Sequence, residues 1–128
     1  APLLAFLVLL AAPARAELVH RGTRVYTTGD FKEVVIEVTV KNYGNDPVED
    51  VAVVIELEPT PRASAYRTVV ELGTLEPGQE KTATYRPGLR ATSNFDGTRD
   101  SFDVTFGTLS GATLNVRYKV AVAVRAGR

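Results

Sequence analysis

The sequence predicts an all-β fold, an antiparallel β-sandwich of about seven strands. Three observations carry that expectation. Apolar residues recur at every second position in one run after another, and turn-forming clusters separate the runs. No segment after residue 17 keeps the spacing of an amphipathic helix. Period two is the mark of a strand with one face buried and the other in water.

The first run spans His20 to Thr27 and ends in the turn Thr28-Gly29-Asp30. From Phe31 onward, Val34, Ile36, Val38 and Val40 fall on one face, and Glu33, Glu37, Thr39 and Lys41 on the other. The stretch NYGNDPVEDV, Asn42 to Val51, then breaks the alternation with amides, glycine, proline and acids. The third run sets Val51, Val53, Ile55 and Leu57 against Ala52, Val54, Glu56 and Glu58, and Pro59 to Pro61 closes it. The fourth places Tyr66, Thr68, Val70 and Leu72 opposite Arg67, Val69 and Glu71. After the turn Glu76-Pro77-Gly78 comes a threonine-rich run, Gln79 to Arg86. Phe102, Val104 and Phe106 alternate with Ser101, Asp103, Thr105 and Gly107. The last run sets Leu114, Val116, Tyr118, Val120, Val122 and Val124 against Asn115, Arg117, Lys119, Ala121, Ala123 and Arg125. Ser110-Gly111 predicts a hairpin between these two. With no helix to make a crossover, such strands pack as two antiparallel sheets, and about 110 residues is the size of an immunoglobulin-like domain.

The segments VTVKNYGNDPVEDVAVVIEL, Val38 to Leu57, and LGTLEPGQEKTATY, Leu72 to Tyr85, resemble the immunoglobulin-like modules of bacterial and archaeal envelope proteins. The bacterial cell-adhesion-related module CARDB is similar in having a strand, K-N-x-G, a valine-rich strand, and later L-x-PG before a T-x-x-Y/F strand. The resemblance covers residues 31 to 86. It implies a non-catalytic adhesion or spacer module within a larger surface assembly. Residues 87 to 128 depart from it, because they end in a plain valine strand rather than Asp- and Asn-rich turns.

Residues 1–16 read as a signal peptide, with the module occupying 17–128. Leu3 to Ala12 form an unbroken apolar run, and Ala14-Arg15-Ala16 is the small-x-small pattern that a signal peptidase cuts. The run is well short of the roughly 20 residues that span a bilayer. The expectation is an exported protein of the periplasm, cell surface or medium, with no membrane insertion after cleavage. With no cysteine, the chain has no disulfide and no residue for a lipoprotein anchor. The formal net charge is zero, and the basic residues form no cluster, so no field gathers nucleic acid.

The chemistry-bearing residues predict no cofactor. Asn42, Asn45, Asp46, Glu49 and Asp50 offer oxygen donors, but their spacing matches no calcium loop and each residue serves a turn. In TSNFDGTRDSFD, the candidate calcium ligands are Asn94, Asp96, Asp100 and Asp103, in part on alternate positions as in a D-x-D-x-D series. Gly97 falls too early for that loop, no Glu closes it, and Arg99 opposes a cation. His20 is the single histidine, and none of Ser64, Ser93, Ser101 or Ser110 sits in a nucleophile elbow, so no catalytic residue is assigned. Glu56 and Glu58 share a solvated strand face. Tyr43, alone in a turn, is the tyrosine placed for a carbohydrate, whereas Tyr66 and Tyr118 fall in register with core residues.

What remains is binding through a protein partner. Val25-Tyr26 and Val120 to Val124 lack an interrupting proline, so as edge strands they would pair with another protein or a second copy.

Overall fold

The structure, a computed structural model, describes residues 17–60 and 64–127. The proposed signal peptide, with its apolar run Leu3 to Ala12, lies outside the described residues. Eight strands follow in chain order: β1 (Leu18–Thr28), β2 (Glu33–Asn42), β3 (Val48–Pro59), β4 (Tyr66–Leu75), β5 (Glu80–Tyr85), β6 (Asp96–Gly97), β7 (Ser101–Gly107) and β8 (Thr113–Arg125). They build an immunoglobulin-like sandwich of two antiparallel four-stranded sheets, ordered β5-β2-β1-β6 and β4-β3-β8-β7. The last strand, β8, sits inside its sheet, between β3 and β7.

The alternation produces the core directly. Val34, Ile36, Val38 and Val40 of β2 meet Val51, Val53, Ile55 and Leu57 of β3, and all eight are fully buried. Val104, Val116 and Tyr118 extend the same layer, with Phe102 stacked at 6.0 Å on the Tyr118 ring. Tyr118 places its hydroxyl at the rim, donating to the carbonyl of Ser64 at 2.8 Å. Burying a Val, Leu or Ile side chain contributes about 1.5–3 kcal/mol, so this layer supplies what disulfides do not.

Seven strands match the seven periodic runs, each extended or trimmed by a few residues. The eighth, β6, lies between Pro87 and Asp100, where the sequence carries no alternating run. That segment is tied down: Leu89 and Ala91 are buried, Arg90 bridges to Glu33, and Ala91 bridges to Val104. Two residues give no period to detect, so β6 forms because tertiary contacts place it beside β1.

The turn Asn42 to Val48 is organised by one amide. Asn42 is wholly buried, and its Nδ2 donates to the carbonyls of Asp46 (2.8 Å) and Leu75 (3.0 Å). Its Oδ1 accepts from the Gly44 amide at 2.8 Å. On the main chain, its N–H donates to Gln79 and its carbonyl accepts from Gly78. The K-N-x-G and L-x-PG segments, apart in sequence, are therefore interlocked.

Candidate functional site

The acidic residues that sequence reasoning singled out are drawn apart. Asp96 on β6 belongs to the first sheet, where Arg24 donates to both of its oxygens, Nε at 2.8 Å and Nη2 at 2.7 Å. Asp103 on β7 belongs to the second sheet, held in the same two-pronged way by Arg117 at 3.0 and 2.9 Å. Each guanidinium pushes its carboxyl below the ordinary range, chiefly by hydrogen bonding to the charged form. Asn94 accepts from the Thr27 hydroxyl at 3.0 Å, and the Asp100 carbonyl accepts from the Val120 amide at 2.9 Å. Among the described residues, no three His, Cys, Asp or Glu side chains gather in a way that could hold a metal ion.

The other named residues are likewise accounted for. His20 is exposed, with Nε2 2.8 Å from the Thr23 hydroxyl. Glu56 accepts from Arg67 Nε at 3.2 Å across the β3–β4 pair. Tyr43 is 46% exposed, but its hydroxyl binds Arg21, and the Lys41 ammonium stands 5.0 Å from its ring centre. Cations therefore occupy the surroundings that a stacked sugar would need. Tyr66 packs edge-on against Tyr118 at 5.8 Å, as expected of core aromatics. Tyr26 donates to Glu37 at 2.9 Å beneath the Arg24 guanidinium, 4.0 Å from the ring centre. The hydrogen bond to that carboxylate raises the Tyr26 phenol above its usual range.

The sheet edges differ from one another. Lys81 of β5 crosses to β4 and donates its ammonium to the carbonyls of Leu72 (2.8 Å) and Thr74 (3.0 Å). Ala91 and Thr92 cover β7, Thr92 donating to the Asp103 carbonyl. On β1, Val25 pairs with Gly97 and Tyr26 with Asp96 of β6, and Thr27 donates to the Phe95 carbonyl. The expectation that Val25-Tyr26 is a free edge is thus corrected: β6 covers it. A lysine over edge carbonyls and a short covering segment are devices that keep a sheet from pairing with a stranger.

Among the described residues, the flank beside β6 and the end of β7 has stretches with no strand paired to them. β6 pairs with β1 only at Val25 and Tyr26, and β7 pairs with β8 only from Thr113 to Lys119. Among the described residues, the outer side of β1 from Leu18 to Arg24 and that of β8 from Ala121 to Arg125 are therefore left open. Val120 to Val124, expected to be an edge, splits: Val120 donates to Asp100, and the rest has β3 on one side only. Both open stretches lie at the Asn42 end, because Leu18 pairs with Asn42 and Arg125 with Ala52 at the start of β3. They also share a flank, since Gly97 beside β1 and Asp100 beside β8 are three residues apart. Val120, Val122 and Val124 pack against the core from β8 but are only partly buried. Among the described residues, no helix is long and apolar enough to cross a membrane.

A scan against protein-family models matches none of them, and a search of curated proteins finds no match.

Proposed function

We propose that this chain is an exported, non-catalytic binding and assembly module of a bacterial or archaeal envelope or surface, similar in kind to CARDB modules, and that its partner is a protein. The observation that carries the reading is the contrast between edges. The chain covers β7, part of β1 and the Leu72–Thr74 end of β4 with its own groups, yet among the described residues both sheets are open on the flank between Leu18–Arg24 and Ala121–Arg125. An unpaired strand edge offers N–H and C=O groups to an added strand.

Two further observations support it. Asp96, Asp103, Glu33 and Glu56 are each held by an arginine, which is how acids behave on a structural surface. The K-N-x-G and L-x-PG segments that carry the family resemblance meet around Asn42, so they serve the fold and leave binding to the edges. Export rests on the leader pattern of residues 1–16.

The test is native electrophoresis of envelope extracts from cells producing the tagged chain. The expected result is a species larger than the monomer that is lost in the Val122→Pro variant. A monomer in every fraction, or a complex indifferent to that substitution, would contradict the reading.

A further inference from the structure

The open flank is asymmetric in charge and chemistry, and this bears on what can occupy it. The Val120 amide points toward β7, where it meets the Asp100 carbonyl. By the alternation of an antiparallel strand, the N–H and C=O groups of Val122 and Val124 point the same way, past the end of β7. Their side chains face inward on the core layer. The intervening Ala121, Ala123 and Arg125 face outward, preceded by Lys119, and all four are exposed. Among the described residues, neither Lys119 nor Arg125 forms an ion pair; Glu58 is the register partner of Lys119 on the far, β3 side. Asp50 and Glu71 line a hollow with Arg125, also on the β3 and β4 side. On β1, the exposed side chains of this stretch are His20, Arg21 and Arg24.

Self-pairing through this edge meets a charge penalty. With Lys119 and Val120 already taken by Ser101 and Asp100, the antiparallel registers left to Val122 and Val124 set Arg125 of one copy diagonal to Lys119 or Arg125 of the other. Like charges so placed on neighbouring strands are destabilising. A strand with apolar residues inward would continue the Val122 and Val124 row, and acids outward would face Lys119 and Arg125.

Building on the assembly reading above, we infer that the flank takes an extended strand from a different protein, alternating apolar and acidic residues. The strand lies against β8 and bonds through the main chain of Val122 and Val124. A second copy of this chain is disfavoured by charge, and the alternation of the occupant follows from the pleat.

The probe is a short synthetic peptide alternating valine and glutamate, with a valine–lysine peptide as its counterpart, added to the purified chain. The readout is amide hydrogen exchange resolved by NMR. The glutamate peptide is expected to slow exchange at Val122 and Val124 about tenfold when present at ten times its dissociation constant. The lysine peptide is expected to leave those amides unchanged. Reversing the exposed cations, with Lys119→Glu and Arg125→Glu together, is expected to exchange the preference without disturbing the core. Equal protection by both peptides, protection confined to other strands, or none at all would overturn the inference. If the envelope complex persists and stays sensitive to Val122→Pro while the glutamate peptide fails, this assignment falls and the assembly reading stands. If the complex itself is absent, the assembly reading falls on its own evidence.

Discussion

Asn42 reaches across the turn end of the sandwich to donate a hydrogen bond to the Leu75 carbonyl at 3.0 Å, from a side chain with no exposed surface. The bond joins the end of β2 to the end of β4, in different sheets. It explains why a polar residue belongs in a valine-rich strand: Asn42 satisfies two carbonyls and the Gly44 amide where no water reaches.

Asn42→Ala should therefore destabilise the chain by about 3 kcal/mol, because it strands buried partners at 1–3 kcal/mol each. Urea unfolding measures this. Asn42→Asp should be at least as harmful, since a carboxylate would face the Asp46 and Leu75 carbonyls. A change under about 0.5 kcal/mol, the range of ordinary surface substitutions, would show that the amide is not the clasp of this turn.

Replacing Val38, Ile55 or Val104 with Asp should unfold the domain. Their side chains are 0%, 0% and 1% exposed, and an unpaired carboxylate there costs several kcal/mol, roughly half or more of a typical domain's stability. Thr39→Asp, Glu56→Asp and Thr105→Asp, on the outward face, should keep a cooperative melt. Circular dichroism melts of the six variants distinguish the sets, and equal tolerance in both would mean inverted strand registers.

The Asp103–Arg117 pair makes a pH prediction. The guanidinium lowers the carboxyl's titration in the folded state, so its contribution is fully present above the unfolded value. It is lost as pH falls through the lower, folded value. The melting temperatures of the wild type and Asp103→Asn should thus differ near neutrality and converge as pH drops below about 4, toward the acid limit. The difference should be small and shrink in salt, because both side chains are more than a third exposed. A gap that widens with acid would contradict the pairing.

Calcium should leave the melting temperature unchanged. Asp96 and Asp103 each sit in an arginine fork, on different sheets, so the candidate ligands Asn94, Asp96, Asp100 and Asp103 do not converge. Differential scanning fluorimetry with and without calcium checks this. A bound ion at a hundredfold excess over its dissociation constant would add about 2.7 kcal/mol, a rise of several degrees. Such a rise, abolished by Asp96→Ala and Asp100→Ala, would contradict the placement of these residues.

Much of the fold is legible because valine alternation is a strong signal wherever one sheet face is dry. The runs around Ile36, Ile55 and Tyr118 become strands β2, β3 and β8 with those residues wholly buried. The reading is weaker where burial is set by neighbours rather than by period. Val35, Ala52 and Val54 face away from the core layer and are buried all the same. Phe31, which begins an alternating run, stands in the β1–β2 turn with 69% of its surface exposed, near the Arg90 guanidinium.

The edges are the least legible feature. Whether Val25 or Val122 is free depends on β6 and on where β7 stops, and neither leaves a local trace. The fork at Asp96 is equally long-range, Arg24 lying 72 residues away, whereas Arg117 meets Asp103 from 14 residues away across the β7–β8 hairpin. An alternating series of oxygen donors looks like a cation site in one dimension. Sheet pairing decides which arginine each acid meets.

The central claim is that, among the described residues, the side of β8 from Ala121 to Arg125 that faces away from β3 is open to an added strand. Residue-resolved amide hydrogen exchange on the purified chain tests it most directly. Val120, bonded to Asp100, and Ala121 and Ala123, directed at β3, should be protected. Val122 and Val124 should exchange at nearly the rate of free amides, although their side chains pack on the core. Protection of Val122 and Val124 equal to that of Ala121 and Ala123 would contradict the account, because the edge would then already be closed.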